Sequence, residues 1–559
     1  SAVSEVTIAS GSNIKLNGSN GVGAIVTTGS TVNFQGGSKI ELGGSGVAIF
    51  GQRGAIINDG GGTFTTNGYS SERIRLTEGP AITKANVTLE TGNVMSHVIN
   101  GEAILNSGFL VNATAGSKNI IGLMAEGNEN ETLTAPVAWR ELGYEVVNNG
   151  TLDLSNATSS TGIYLDSARG KNSGPLKVGD KSTAIYGVYN SSTAPYSGAA
   201  AGYVNKSEIL NEATGSITIG NGSAGIYAIG FDKVENKGPL TGGNNSVGIY
   251  ATDKDISGNI VRNQDLNVKN SGNITIGNGS AAIYVTQNSA NKATVTNTGN
   301  ITVGDSVLNP DGTVKNPAVA MFIQNGTLTT TGNVTVGNRA FAFYGKDATI
   351  NVNGGNYNFA NSGSLGYLEN STLNYNNTGT LATSSEPLLF IDNSKAILNG
   401  NDIFVSANGV GAYMTGKSEF TGWNKITLGT SLTGIYVDGA TAKVNGNSIV
   451  STNNKAKGIV ALNSNVTNDA KISLSGDDSI GIFSRNTSGS AKQIVSNQSF
   501  DISGKRSIGI YLEGTDEQNV INNGTMNIAA TTDSNKNNST VGIYAKGGNV
   551  NLDSGSKMT

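Results

Sequence analysis

The sequence predicts an all-β protein: a right-handed parallel β-helix, a solenoid of 22–24 residues per coil with loop excursions. Three observations lead there. A short phrase returns at Val319-Ala-Met-Phe322, Phe341-Ala-Phe-Tyr344, Leu365-Gly-Tyr-Leu368, Leu388-Leu-Phe390, Val410-Gly-Ala-Tyr413, Thr433-Gly-Ile-Tyr436, Lys457-Gly-Ile-Val460 and Ile480-Gly-Ile-Phe483. Its last residues lie 22, 24, 22, 23, 23, 24 and 23 positions apart. A fixed period of this size marks repeats that pack on their neighbours. Within one period, segments such as Val295-Thr-Asn-Thr-Gly-Asn-Ile-Thr-Val-Gly304 alternate apolar with polar residues and stop at Asn or Gly. That is the pattern of short strands and turns. Composition agrees, with 78 glycines in 559 residues and only 14% charged residues.

Each period holds three strands: one ending in Asn-x-Gly, one of the Ile-Thr-Val-Gly type and one of the Gly-Ile-Tyr type. Stacked at about 4.8 Å, the chain would make roughly 22–24 coils. Alternation along the third strand separates two columns. The isoleucines (Ile163, Ile185, Ile226, Ile249, Ile283, Ile435, Ile459, Ile482, Ile510, Ile543) are expected to line the core. The aromatics (from Tyr164, Tyr186, Tyr227, Tyr250 and Tyr284 to Tyr413, Tyr436 and Tyr544) would stack outside, with the Gly/Ala column beside them making room for the rings.

Residues 1–145 read as a less regular N-terminal β-helix with irregular, charged insertions. Glu72, Arg73, Arg75, Glu126, Glu129 and Glu131 fall there, and Ala135–Leu142 offers one helical turn with Pro136 at its first position. Residues 146–559 read as a regular β-helix continuous with the first part. Since Val550-Asn-Leu552 opens another coil, the natural protein is expected to continue past Thr559. Four long intervals, Tyr186–Tyr227, Tyr250–Tyr284, Tyr284–Phe322 and Tyr511–Tyr544, must hold loops or a small extra coil. Pro195, Pro310 and Pro317 lie within them, as suits residues excluded from a central ladder.

Several function classes are disfavoured. A net charge of −4 without a basic cluster leaves no nucleic-acid footprint. No apolar run approaches membrane-spanning length, and Ser1 begins without a signal peptide. The chain thus reads as a mature secreted or excised segment. Cysteine is absent, so no disulfide or cysteine metal site exists. Either an exported chain avoids cross-links before passing a pore, or a β-helix needs no staples.

Gly411-Ala-Tyr-Met-Thr-Gly-Lys-Ser418 matches the phosphate-loop pattern, and Gly220-Asn-Gly-Ser-Ala-Gly225 the dinucleotide fingerprint. Both require a helix to follow, whereas both run into strands here. His97 is the only histidine and no G-x-S-x-G occurs, which leaves little for nucleophilic catalysis. In the column two residues after the aromatic, the nearest acids read as Asp392 and Asp438, two coils and about 9.6 Å apart. Inverting glycosidases use about 6.5–9.5 Å, so the pair is marginal. Asp477-Asp478 reads as a turn, and the many Asn-x-Ser/Thr triplets as turn caps and ladders. No catalytic, metal or cofactor residue is assigned, and the chain is not expected to be an enzyme.

The Gly-Ile-Tyr phrases, their Asn-x-Gly-x-Ile-Thr-Val-Gly partners, the absent cysteine and the low charge together resemble passenger domains of type Va autotransporters. The nearest resemblance is to the large fusobacterial outer-membrane adhesins (RadD-like), good over 146–559 and loose before it. It implies secretion through an outer-membrane barrel that this sequence does not contain, display at the cell surface, and attachment to host or bacterial receptors. On that reading the chain is a monomeric adhesin segment binding a surface protein or glycan through loops. The alternatives are a passive stalk or a polysaccharide-degrading β-helix. Tyr189, Tyr196 and Tyr203 in the longest interval, with Trp139, Tyr413 and Tyr436, are the candidate receptor-binding residues, since tyrosine offers contact area at low entropic cost.

Overall fold

The computed structural model describes residues 4–66, 70–127, 145–190, 207–406, 408–529, 535, 538–547, 550–552 and 557–558. Among them there is no α-helix; the strands are short, and nearly all pair in parallel. The chain forms two compact units, Ser1–Thr302 and Val303–Thr559. The division expected at residue 145 falls inside the first, where Ala103 pairs with Val146 and Ile104 with Val147. Ala135–Leu142, with its expected helical turn, lies outside the described residues.

In the first unit each coil runs through the three expected strands. Val146–Asn148, Thr151–Leu154 and Thr161–Asp166 make one coil; Gly170–Asn172, Pro175–Val178 and Thr183–Val188 make the next. Strand three occurs ten times in this unit, from Gly21–Thr27 to Ala281–Thr286, and ten times in the second, from Val319–Gln324 to Val541–Lys546. Among the described residues this makes twenty coils rather than 22–24, because excursions consume residues. Residues 70–126 prove regular: Ile74, Leu76, Val98 and Leu123 are wholly buried. Their charged neighbours had masked the period.

The isoleucine column faces inward, as expected, except that Ile543 in Val541–Lys546 is only half-buried. Ile163, Ile185, Ile226, Ile249 and Ile283 pair in register and are fully buried, as are Ile435, Ile459, Ile482 and Ile510. The tyrosines beside them are half-buried on the outer face. The glycine column is different from expectation. A Cβ on Gly162 would lie 2.6 Å from Leu176 Cδ1 and 2.7 Å from the Ala184 carbonyl, and one on Gly225 2.6 Å from Leu240 Cδ1. These glycines therefore face the core, where a side chain would be overpacked. The strand bends there, so Gly and Ile point inward in succession and simple alternation fails.

Arg73 takes that inward corner position in Ser71–Thr77 and is 1% exposed. Its Nε and Nη2 each donate to Asp59 at 2.7 Å, Nη2 donates to the Gly62 carbonyl, and its guanidinium lies over Phe34. A buried charge of this kind is tolerable only when paired and hydrogen-bonded.

Two polar ladders close the coils. At the end of the first strand, Asn148, Asn172, Asn211, Asn236, Asn270 and Asn297 are fully buried. Each Nδ2 donates to the next Oδ1 at 2.7 Å. At the turn before strand three, the backbone N–H of Ser160, Ser182, Ser223 and Ser246 donates to the next coil's serine hydroxyl at 3.0–3.2 Å. The residue before each serine (Ser159, Lys181, Gly222, Asn245, Gly279) has positive φ, which Gly and Asn accept most readily. The triplets Asn221-Gly-Ser223, Asn244-Asn-Ser246 and Asn278-Gly-Ser280 are this corner written in sequence. Asp478, at φ 57°, makes the same turn in the second unit.

The asparagine ladder supplies a test. Asn211→Ala removes the acceptor of Asn172 and the donor to Asn236 in the dry interior, which should cost on the order of 2–5 kcal/mol. Hydrogen exchange should quicken around 172–236 and stay unchanged near 80–126, because coils couple to neighbours. Loss confined to residue 211, or spread over the whole unit, would contradict this account.

Candidate binding surface

The outer face of strand three in the first unit carries a tyrosine ladder. Tyr164, Tyr186, Tyr227, Tyr250 and Tyr284 stack with centroids 5.4, 5.5, 4.6 and 5.4 Å apart and interplanar angles of 9–20°. Coil spacing imposes this, since identical side chains in register meet at strand-pairing distance. Ring faces are spent on one another, so edges and hydroxyls meet solvent. Burial, then the charge of Asp166, pushes the Tyr164 hydroxyl up to about 12; burial, then Tyr250, does the same for Tyr227. At physiological pH the Tyr164 and Tyr227 hydroxyls are neutral.

The long excursions of this unit leave at one corner, between that strand and the asparagine strand. The intervals are 127–145, 189–207 and 253–266, with the shorter 287–292 beside the last. Tyr186 pairs directly with Tyr227, and Tyr250 with Tyr284, so no coil intervenes in the stack between these strands. The first of these intervals was concealed in sequence by the irregular composition of 70–146.

Tyr189 stands where 189–207 departs. Arg262, from 253–266, lies over its ring at 4.4 Å and pairs with Asp232 at 2.7 Å. Two excursions thus meet at Tyr189. Tyr196, Tyr203 and Trp139 lie outside the described residues.

In the second unit Tyr413 and Tyr436 stack at 5.4 Å and 9°. Tyr413 Oη donates to Asp438 at 3.0 Å. Nearer the start of this unit the stack is disordered by Phe341, a ring where most coils carry a small or aliphatic residue. It meets Tyr367 and Phe390 edge-on at 78° and 75°, and Tyr344 and Tyr367 are tilted by 48°. Tyr344 pairs with Tyr367, so the phrase is Ser364-Leu-Gly-Tyr367, one residue earlier than its sequence suggested. This shift brings Glu369 into the acidic column, where it pairs with Asp392 on the next coil. The nearest acids are thus one coil apart, not two. Both are engaged: Lys346 Nζ is 2.9 Å from Glu369, and Thr415 Oγ1 donates to Asp392 at 2.8 Å. The long excursion at 304–318 leaves elsewhere, ahead of strand three, and there Val307–Leu308 and Val314–Asn316 form an antiparallel hairpin with Pro310 in its turn.

The motif lookalikes resolve as strands. Val410–Thr415 and Lys417–Thr421 cover the phosphate-loop match, and Ala224–Ile229 follows the dinucleotide match. His97 occupies the aromatic column between Arg75 and Met124. Its Nδ1 is 3.0 Å from Glu72 Oε1, and its Nε2 is 3.3 Å from Glu126 Oε1, the latter poorly aligned for a hydrogen bond. Burial alone would depress its pKa; Glu126 and Glu72 outweigh burial and push it up to about 9. A cation at neutral pH is no general base. The two carboxylates flank opposite nitrogens and cannot converge on one metal ion. Among the described residues no cluster of His, Cys, Asp or Glu fits a metal.

Residues 77–333 match a family model described as the BigA third pectate lyase-like domain. The matched interval includes His97, the tyrosine ladder and the 253–266 excursion. Neither the curated proteins nor the solved structures yielded a match.

His97 sets a pH dependence. Its folded pKa of about 9 lies above the ordinary 6.5, so its contribution to stability is complete below about 6.5. It declines as pH rises and is lost through about 9. Melting at pH 6 and pH 10 should therefore differ more for the native chain than for His97→Gln. Equal differences would contradict the sandwiched imidazolium.

Proposed function

We propose that the chain is a segment of a surface-displayed bacterial adhesin passenger that binds a receptor on host cells or other bacteria. Its loops do the binding and its coils do the positioning. One observation carries this reading: the long excursions of the first unit leave a single corner, next to the tyrosine ladder, and two of them meet at Tyr189. Loops on a rigid scaffold are where binding residues concentrate. The match of 77–333 to a pectate lyase-like domain supports a β-helical scaffold of this class, and the sequence resemblance to fusobacterial adhesins supports display at the cell surface through an outer-membrane barrel elsewhere in the parent protein. The segment acts as a monomer, without cofactor or nucleic acid, and performs no catalysis. A passive stalk would give no reason for the excursions to share a corner.

A second reading has its own observation. Glu369 and Asp392 project from paired positions on consecutive coils, whose strand spacing of about 4.8 Å is comparable with the carboxylate separation of about 5–5.5 Å that retaining glycosidases use. Their engagement by Lys346 and Thr415 favours binding over cleavage. Release of reducing sugar from mixed polysaccharides, abolished by Glu369→Gln, would establish the enzyme instead.

The adhesin reading is tested by coating beads with the purified chain and counting those retained on host cells and on bacterial partners. Replacing residues 191–206 with a short Gly-Ser linker should lower retention several-fold and leave the melting temperature unchanged. A native chain that binds no cell at all would return the segment to the role of stalk.

A further inference from the structure

The excursion at 253–266 is built as a small, internally bonded hairpin that raises one aliphatic side chain into solvent. Its tip is Asp255-Ile-Ser-Gly-Asn259. The Asp255 N–H donates to the Asn259 carbonyl at 2.9 Å, the Gly258 N–H to the Asp255 carbonyl at 3.0 Å, and Lys254 bridges Ile260 antiparallel. Asp at the first turn position and Gly258 at the fourth, with φ +86°, are the residues such a turn prefers. The Asp255 carboxylate accepts from the N–H groups of Ser257 and Asn259 at 2.9 and 2.8 Å, and from Asn259 Nδ2 at 3.2 Å.

The base is held as firmly. Asp253 is fully buried. It accepts from the N–H groups of Asn288 and Ser289 at 2.8–3.0 Å, from Asn288 Nδ2 at 2.8 Å and from Gln287 Nε2 at 3.1 Å. Gln287 also ties Gln264 and Leu266 to the coil. On the far limb Arg262 is fixed between the Tyr189 ring and Asp232. At the summit Ile256 is 92% exposed, with Ile260 at 40% beside it. Among the described residues the next most exposed large hydrophobic side chain is Ile25 at 61%, and the most exposed aromatic is Phe404 at 46%.

A hairpin tip that required only solubility would carry Asn, Ser or Gly at Ile256. Holding a loop in one conformation lowers the ordering cost of binding, and an apolar anchor entering a partner's pocket is how a few residues supply most of an interface's energy. The geometry points to Ile256, supported by Ile260, as the anchor of a protein–protein contact. The partner is a surface protein presenting an apolar cleft rather than a glycan. An isoleucine offers a sugar neither a hydrogen bond nor an aromatic face. The nearest carboxylate, Asp255, is spent within the turn. This inference rests on the adhesin reading and names the chemical class of its receptor.

The test uses the full chain with Ile256→Asp, Ile256→Leu and unaltered Ile256, each checked for native hydrogen exchange at 287–289. Cells that retain the native chain are offered untreated, after mild protease shaving, or after periodate oxidation of their glycans. Ile256→Asp should reduce retention at least tenfold and Ile256→Leu should keep most of it. Shaving should abolish binding and periodate should spare it. Undiminished binding by Ile256→Asp, or binding lost to periodate and resistant to protease, overturns this inference and leaves the adhesin reading standing. No binding by the native chain overturns both.

Discussion

Parallel stacking carries the backbone hydrogen bonds of each coil to the coil before and the coil after. The same geometry places every side chain against its counterpart one period away. Buried asparagine shows what this requires. A primary amide in a dry core is unfavourable unless donor and acceptor are both met, and the run from Asn148 to Asn297 meets them by repetition, each amide donating to the next. The run stops at Asn148, whose Oδ1 has no partner, because the preceding coil offers Leu105 at that site. Serine hydroxyls at the neighbouring corner obey the same rule, and stacked tyrosines outside are its aromatic version.

That constraint divides the chain into positions that must match their neighbours and positions that need not. Strand residues belong to columns, and a change in one coil is felt in the next. The corner after strand three ends the column, so additional chain can leave without disturbing the stack. In the first unit it does so repeatedly at one side of the tyrosine ladder. A stacked coil then serves as anchor: Asp253 and Gln287 fix the 253–266 excursion through hydrogen bonds to neighbouring coil backbone, while its tip remains free to present Ile256. Stability and recognition thus occupy different residues of the same repeat.

Much of this was legible in sequence because columns repeat letters. The isoleucine and tyrosine columns, the Asn-x-Ser corners and three of the excursions could be read from spacing alone. What escaped was whatever broke the letter pattern while keeping the shape. Ser364-Leu-Gly-Tyr367 displaces glycine by one place, so the phrase was registered one residue late and Glu369 was left out of the acidic column. Arg73 and His97 sit at core-corner and ladder positions that elsewhere hold Gly and Tyr. Their charges looked like irregular surface until Asp59, Glu72 and Glu126 appeared around them. The glycines were assigned to the wrong face because a strand that bends places two successive residues inward, which a period of two does not express. Of the candidate binding residues, Tyr189, Tyr413 and Tyr436 were visible as aromatics. The meeting of Tyr189 with Arg262 was not, since the two are distant in sequence and joined by coil stacking. Ile256 gave no signal, because exposure is invisible in a single apolar letter.

The central claim, that recognition belongs to the excursions and not to the coils, is tested most directly by hydrogen exchange of the chain with and without receptor-bearing membranes. The account predicts new protection at Tyr189–Asn190, across 253–266 and at 287–292, with strands of the second unit such as Thr433–Asp438 unchanged. Protection spread along the strand columns, or confined to the second unit, would contradict it.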